Sequence, residues 1–289
     1  MSIVLEKVDY FYALGSQWEK AALEDISFNI EPGKILGITG PSGAGKSTLM
    51  QICNGNLLAS RGTVTVDGVD IKSLKGTALV NLRRRVALVG QIAEKQIFER
   101  SIFADIAFGP RNLGLDKDQV QQRVRQAMEQ IGLGFQEWKD RSPFHLSSGQ
   151  KRRVAIAGVL AMRPVYLLLD EPTAGLDWEG RLELCQHLLQ LKEELGGIVI
   201  ISHRLEELLL ISDELLFLDR GQIKAQGATL KVIEKLEDEI NHGEGLTPSR
   251  QVLKVMATRG FQVNTHLSGA PEVSREIIRV LGGGDKQNG

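Results

Sequence analysis

Apolar and polar residues alternate through 3–10 and again through 26–30, the period-two pattern of half-buried strands. Residues 34–39, 86–89, 166–170 and 197–201 are instead short, almost continuous apolar runs. Such runs predict strands covered on both faces, as in a parallel sheet. Another strand over 62–68 ends in an Asp67-Gly68 turn, and 214–226 reads as a hairpin around Arg220-Gly221. Helical spacing follows residue 47 to about 54. It fills 101–108, 117–131 and 150–161, and returns over about 179–194. Strands and helices alternating in this order predict an α/β fold with a mainly parallel core sheet and an N-terminal antiparallel β part. A helical insertion over about 95–163 interrupts it, and ligands are expected at the carboxyl ends of the strands. Residues 1–228 are expected to form this unit. Residues 229–289 change in kind, with helical patterns near 229–237, 248–258 and 271–281 between loops rich in Gly, Pro and Asn. They are read as a small helical appendage ending in a disordered tail from Gly282 to Gly289.

Between the run 34–39 and the helix that follows lies Gly40-Pro41-Ser42-Gly43-Ala44-Gly45-Lys46-Ser47-Thr48, a G-x-x-x-x-G-K-S phosphate loop in its proper context of strand and helix. Glycines let successive N–H groups turn toward phosphate oxygens, and the helix N-terminus adds a favourable dipole. Lys46 supplies a point charge for β- and γ-phosphates, and the Ser47 hydroxyl suits a bound Mg²⁺.

Composition removes several classes. Of 289 residues, 42% are apolar and 25% charged, ordinary values for a globular protein. The formal net charge of −1 provides no field for a polyanion, so no nucleic-acid partner is expected, and Arg83-Arg84-Arg85 reads as a solvated helix end. No apolar run approaches the roughly 18 residues of a membrane span, and the N-terminus lacks the pattern of a secretory signal. Cys53 and Cys185 are expected as buried reduced thiols, and the scattered histidines have no metal-site spacing.

Further candidates sit at strand ends. Asp170 follows four apolar residues, where its carboxylate can reach the phosphate loop and hold Mg²⁺; Glu171 beside it is placed to polarise a water. Leu146-Ser147-Ser148-Gly149-Gln150 precedes a helix with Ser147 as N-cap. That stretch is either a second anion-binding element, for nucleotide held between two molecules, or simply a capped helix. Tyr12, in the cluster Tyr10-Phe11-Tyr12, serves packing or base stacking equally well.

Taken in order, Gly40–Ser47, Gln91, Leu146–Gln150, Leu167–Glu171, Ala174-Gly175-Leu176-Asp177 and His203 resemble the ATP-binding cassette of ABC transporters. They match its Walker A, Q-loop, signature, Walker B, D-loop and H-loop, and the likeness runs from about residue 3 to 228. Finer features, among them Asp105-Ile106-Ala107-Phe108-Gly109-Pro110 and Arg152-Arg153-Val154-Ala155-Ile156-Ala157, resemble the ATPases of energy-coupling factor importers for vitamins and for cobalt or nickel.

The resemblance implies a P-loop NTPase fold of the ABC type and an ATPase working with Mg²⁺ on the cytoplasmic face of a membrane. Tyr12 would stack on adenine and Gly40 to Thr48 would hold the phosphates. Gln91 would contact Mg²⁺ and the attacking water, and His203 the γ-phosphate. Ser147, Gly149 and Gln150 would serve ATP bound to an opposing cassette, and Asp177 would help join the two sites. The partners implied are a second ABC ATPase subunit and an integral membrane subunit received in a groove near Gln91, to which Glu94 contributes unless it is only a solvated loop acid. A non-transport cassette protein of DNA repair, chromosome structure or translation is the alternative reading. Two departures stand out: Ser148 occupies a position usually glycine, and Gly90 one usually aromatic. The first puts a Cβ where backbone approaches phosphate and favours an unequal heterodimer over a homodimer.

Overall fold

The computed structural model describes residues 2–91, 97–240, 252–253, 256–257, 260–264, 267 and 270–282. The strands form two sheets. Strands β1 (Ile3–Tyr12), β2 (Lys20–Ile30), β4 (Arg61–Val66) and β5 (Val69–Asp70) form an antiparallel sheet in the order β2-β1-β4-β5. The second sheet has the order β10-β9-β3-β8-β7-β6, from β3 (Ile35–Thr39), β6 (Val86–Val89), β7 (Tyr166–Asp170), β8 (Gly197–Ile201), β9 (Glu214–Asp219) and β10 (Gln222–Ala228). Its strands pair in parallel except for the β9–β10 hairpin. Helix α1 (Lys46–Cys53) leaves β3 through the glycine loop, and α2 (Thr77–Arg85) leads into β6.

The continuous apolar runs follow from two-sided burial. Leu167, Leu169, Ile198 and Ile200 face one core, while Tyr166, Leu168, Val199 and Ile201 face the other. The first core is covered by α3 (Ile102–Asn112), α4 (Lys117–Gln130), α5 (Phe135–Trp138) and α6 (Ser148–Leu160). Helices α7 (Trp178–Leu191), α8 (Leu205–Ile211) and α9 (Thr229–Ile240) complete it. The second core lies between the parallel sheet, α1 and the antiparallel sheet. Burial on both faces leaves no period-two signal in β7 and β8, so their identity comes from length and context.

Local capping fixes where the helices begin. Asp116 and Gln119 form a capping box at α4, Ser147 and Gln150 form one at α6, and Asp177 caps α7 by accepting from Gly180 N at 2.9 Å. The Arg83–Arg85 run ends α2: Arg83 donates to Gly55 O at 2.9 Å and Arg85 pairs with Asp67. Cys53 and Cys185 are both buried free thiols.

Sequence periodicity gives no warning of α8, a seven-residue helix that buries Glu207. Beyond residue 228, Val232, Ile233 and Leu236 of α9 belong to the first core. Val252, Leu253 and Met256 instead pack with Val273 and Ile277 of α10 (Ala270–Gly282), forming a small separate cluster. The expected tail after Gly282 lies outside the described residues, as does Glu94.

Candidate functional site

The glycine loop is shaped before any ligand arrives. Gly40 has φ +144°, and a Cβ there would lie 1.9 Å from Leu218 O; Gly45 has φ +105°, and a Cβ there would lie 2.5 Å from Ala22 O. Any side chain at either position would collide with backbone. Gly45 is also the N-cap of α1 and offers no side-chain hydrogen bond, so the helix dipole faces an open cleft. Lys46 Nζ donates to Gly40 O and Pro41 O, both at 2.8 Å. Burial lowers the Lys46 pKa against the pull of Glu171 and Asp170, so the ammonium is a partly desolvated charge.

A cleft of about 510 Å³ opens over this loop. It gathers Tyr12, Gly40, Ser42, Gly43, Gly45, Lys46, Ser47 and Thr48 with Gln91, Asp170, Glu171 and His203. These candidates come from five separate stretches of sequence. Pro41 and Ala44 are not in its lining: Ala44 packs into the second core and Pro41 holds the lysine through its carbonyl. Lys20, Ala21, Ala22 and Ile201, which had no role in the sequence reading, also line it, as does Ala174 at the start of the D-loop block. The Tyr12 hydroxyl bonds Thr48 Oγ1 at 3.0 Å, and the ring meets Tyr10 edge to face with centroids 4.9 Å apart. Tyr12 is thus both packed and on the cleft wall.

Asp170 ends β7 and is buried; burial raises its pKa, opposed by a hydrogen bond from Ser47. Glu171 follows with φ +53°, a left-handed backbone that is unfavourable for a residue with a Cβ. Its N–H donates to Ile201 O at 3.0 Å. Its carboxylate accepts from His203 N at 3.1 Å and faces His203 Nδ1 at 2.9 Å. A second cluster lies behind: buried Glu207 accepts from Thr173 Oγ1 at 2.6 Å and Ser202 Oγ at 3.0 Å, tying the segment after β7 to the one after β8.

Ser147, Gly149 and Gln150 are elsewhere. They line a separate cleft with Leu176, Asp177, Arg153 and Glu183. Ser147 Oγ accepts from Gln150 N at 3.2 Å, and Gln150 Oε1 accepts from Ser147 N at 3.0 Å. Capping uses the hydroxyl's acceptor face, leaving its proton for an outside acceptor. Leu176 packs on Gly149 so closely that a Cβ there would lie 2.1 Å from Leu176 Cδ2. Ser148 leans the same way, its Oγ 2.8 Å from where a Cβ on Gly175 would stand.

Arg152 entered the sequence reading only as part of the Arg152–Ala157 block, with no role of its own. It is buried in α6 and donates to the carbonyls of Asp170, Glu171 and Gln91. Glu207 was missed. Both carry their signal only as charged residues inside apolar helical faces.

A phosphate loop facing a strand-end carboxylate pair, with a capped helix in a second cleft, defines a nucleotide-binding cassette ATPase. The chain belongs to the ABC transporter family, whose sequence profile, described as "ABC transporter", matches residues 23–174. It is similar over nearly its whole length to the energy-coupling factor transporter ATP-binding protein EcfA2 of Caldanaerobacter subterraneus subsp. tengcongensis, at 40% identity over 98% of this chain and 99% of the relative. The protein of the same name from Clostridium perfringens is 40% identical over 96% and 99%. Among solved structures, cbiO1 from Clostridium perfringens, part of the ABC transporter complex cbiONQ, superposes with a TM-score of 0.75 at 34% identity, covering 89% of this chain and 96% of that one. A dimeric post-hydrolysis structure of the cassette MJ0796, bound to ADP and Pi, gives 0.71 at 25% identity over 78% and 98%.

Proposed function

We propose that the chain is the ATP-binding and ATP-hydrolysing subunit of an energy-coupling factor type importer for vitamins or transition-metal ions, acting as one half of a cassette dimer on the cytoplasmic face of the membrane. One observation carries this reading: the lysine loop and the capped α6 terminus occupy different clefts of the same chain. A γ-phosphate held by Lys46 therefore has no Ser147 of its own to meet, and a second cassette is needed to supply one. The partner cassette is a different chain or a second copy of this one, and the membrane subunit selects the cargo. Among the described residues, no helix is long and apolar enough to cross a membrane, which fits a subunit attached from one side. Residues 1–228 form the cassette and 229–289 the appendage, with α9 docked on the cassette.

The roles follow from position. Tyr12 flanks the base, and Gly40 to Thr48 wrap the phosphates. Ser47, Asp170 and Gln91 offer hard oxygen donors. The buried Asp170 carboxylate, already bonded by Ser47, suits a divalent cation. These three residues would hold Mg²⁺, which when bound neutralises charge on the β- and γ-phosphates. Glu171 accepts the proton of an attacking water, and His203 holds that carboxylate in place and reaches toward the γ-phosphate. In the other cleft, Ser147, Gly149 and Gln150 would meet the nucleotide of the partner, with Asp177 at the junction. Binding two nucleotides favours the closed pair and hydrolysis releases it, which biases the membrane subunit.

Cysteines at Ser42 and Ser147 test the arrangement, because Cys53 and Cys185 are buried. In a mixture of the two single mutants, ATP should induce a disulfide between molecules, or with the partner cassette once that is identified and given the matching cysteine. No ATP-dependent crosslink in either pairing overturns the sandwiched site.

A further inference from the structure

Arg152 stands on the face of α6 away from its cap. It lies five positions beyond Ser147, about 140° around a helix of 3.6 residues per turn. The cap faces the signature cleft, whereas the guanidinium runs into the body of the protein, where Arg152 is 3% exposed. There one side chain holds three backbone oxygens: Nη1 donates to Asp170 O at 3.3 Å and to Glu171 O, and Nη2 donates to Gln91 O. Those oxygens belong to Asp170 at the end of β7, to Glu171 after it, and to Gln91, two residues beyond β6.

We propose that Arg152 is a positioning residue that holds Glu171 and Gln91 in their hydrolytic places and ties both to the helix that reaches the opposing nucleotide. The inference rests on the roles given above to Glu171 and Gln91. Glu171 has the left-handed backbone of φ +53°, a conformation that persists only where its surroundings fix it. Each of its polar groups is fixed: N–H by Ile201, carboxylate by His203, and carbonyl by Arg152 together with the Ala174 N–H at 3.2 Å. Only Arg152 among these comes from the helical insertion. A planar fork with five donors holds three carbonyls from two segments in a fixed, spread geometry, whereas an ammonium offers three donors from a single point. Movement of α6 on meeting a partner's nucleotide is thereby passed to the residues of this chain's own cleft. Lys46 and the glycine loop are outside the linkage, so ATP binding should be spared.

The test compares Arg152→Gln, Arg152→Lys, Glu171→Gln and the core variant Leu160→Ala in the full chain assembled with its partner subunits. Expected for Arg152→Gln is a kcat about tenfold lower with KM and ATP affinity within twofold, and for Arg152→Lys an intermediate kcat. Leu160→Ala should lower Tm at least as much while leaving kcat unchanged well below its melting point. The proposal is overturned if Arg152→Gln keeps kcat within twofold of the parent, or if both variants lose kcat in proportion to Tm. If Arg152→Gln does not fold, Arg152→Lys decides on the same split between kcat and ATP affinity. An active Glu171→Gln would instead overturn the role of Glu171 itself; an inactive one beside an active Arg152→Gln overturns only the linkage.

Discussion

His203 closes on Glu171 from two directions, with its Nδ1 2.9 Å from one carboxylate oxygen and its backbone N–H donating to the other at 3.1 Å. An ionised carboxylate only accepts hydrogen bonds, so Nδ1 is the donor in this contact. Glu171→Gln keeps the size and one acceptor oxygen but cannot take a proton. Its turnover should fall at least hundredfold, the scale of a lost general base, while ATP affinity stays within twofold. Phosphate release and titration with a fluorescent ATP analogue measure the two effects.

Lys46 offers a prediction in pH. Burial lowers its pKa from the value of a free lysine, and a triphosphate is attracted only to the ammonium form. Affinity for ATP should therefore weaken as pH rises through the lowered pKa, earlier than for an exposed lysine. Lys46→Arg stays charged across this range and should flatten the curve, whereas Lys46→Ala should bind weakly throughout. Equilibrium binding over roughly pH 7 to 10 checks it.

What the sequence made legible was whatever rests on local pattern. The glycine loop, Ser147 as a cap, the pair Asp170-Glu171 at the end of β7 and the apolar strands each need only a few neighbouring residues, and the loop, the cap and the strands stand at the positions read. Relations between distant segments were not legible. Nothing near Gly149 foretells Leu176 lying against it, and nothing near Arg152 foretells Gln91 sixty-one positions away. The hydroxyls around Glu207 likewise arrive from the segment after β8 and from the turn after β7. Helix α8 was hidden because seven residues give too short a period to read.

Leu176 on Gly149 leads to a substitution whose effect should be confined to the second cleft. A Cβ at Gly149 would stand 2.1 Å from Leu176 Cδ2, so Gly149→Ala must displace the Leu176 side chain of the loop before α7. ATP binding should be unchanged, because Lys46 and its loop are not involved. Turnover should fall about tenfold or more through the misplaced loop, and Gly149→Ala with Leu176→Ala should regain part of it. Full activity of Gly149→Ala would show that the loop yields freely.

Asp170 sets stability against function. Burial raises its pKa above the free-chain value, outweighing the hydrogen bond from Ser47. A group raised in this way adds stability below its unfolded pKa, and that stability is lost as pH climbs through the folded value. At neutral pH the nucleotide-free protein therefore carries a buried carboxylate at a cost. Asp170→Asn removes the charge with little change of shape. It should raise Tm of the ligand-free protein by a few degrees at pH 7, and the gain should shrink on acidification as the parent carboxyl takes up its proton. The same change removes an anionic oxygen suited to Mg²⁺, so stabilisation by Mg²⁺ and ATP should drop sharply. Thermal melts at several pH values, with and without Mg²⁺ and nucleotide, measure both halves. A ligand-free Asp170→Asn protein no more stable than the parent at neutral pH would mean that other groups already compensate the buried charge.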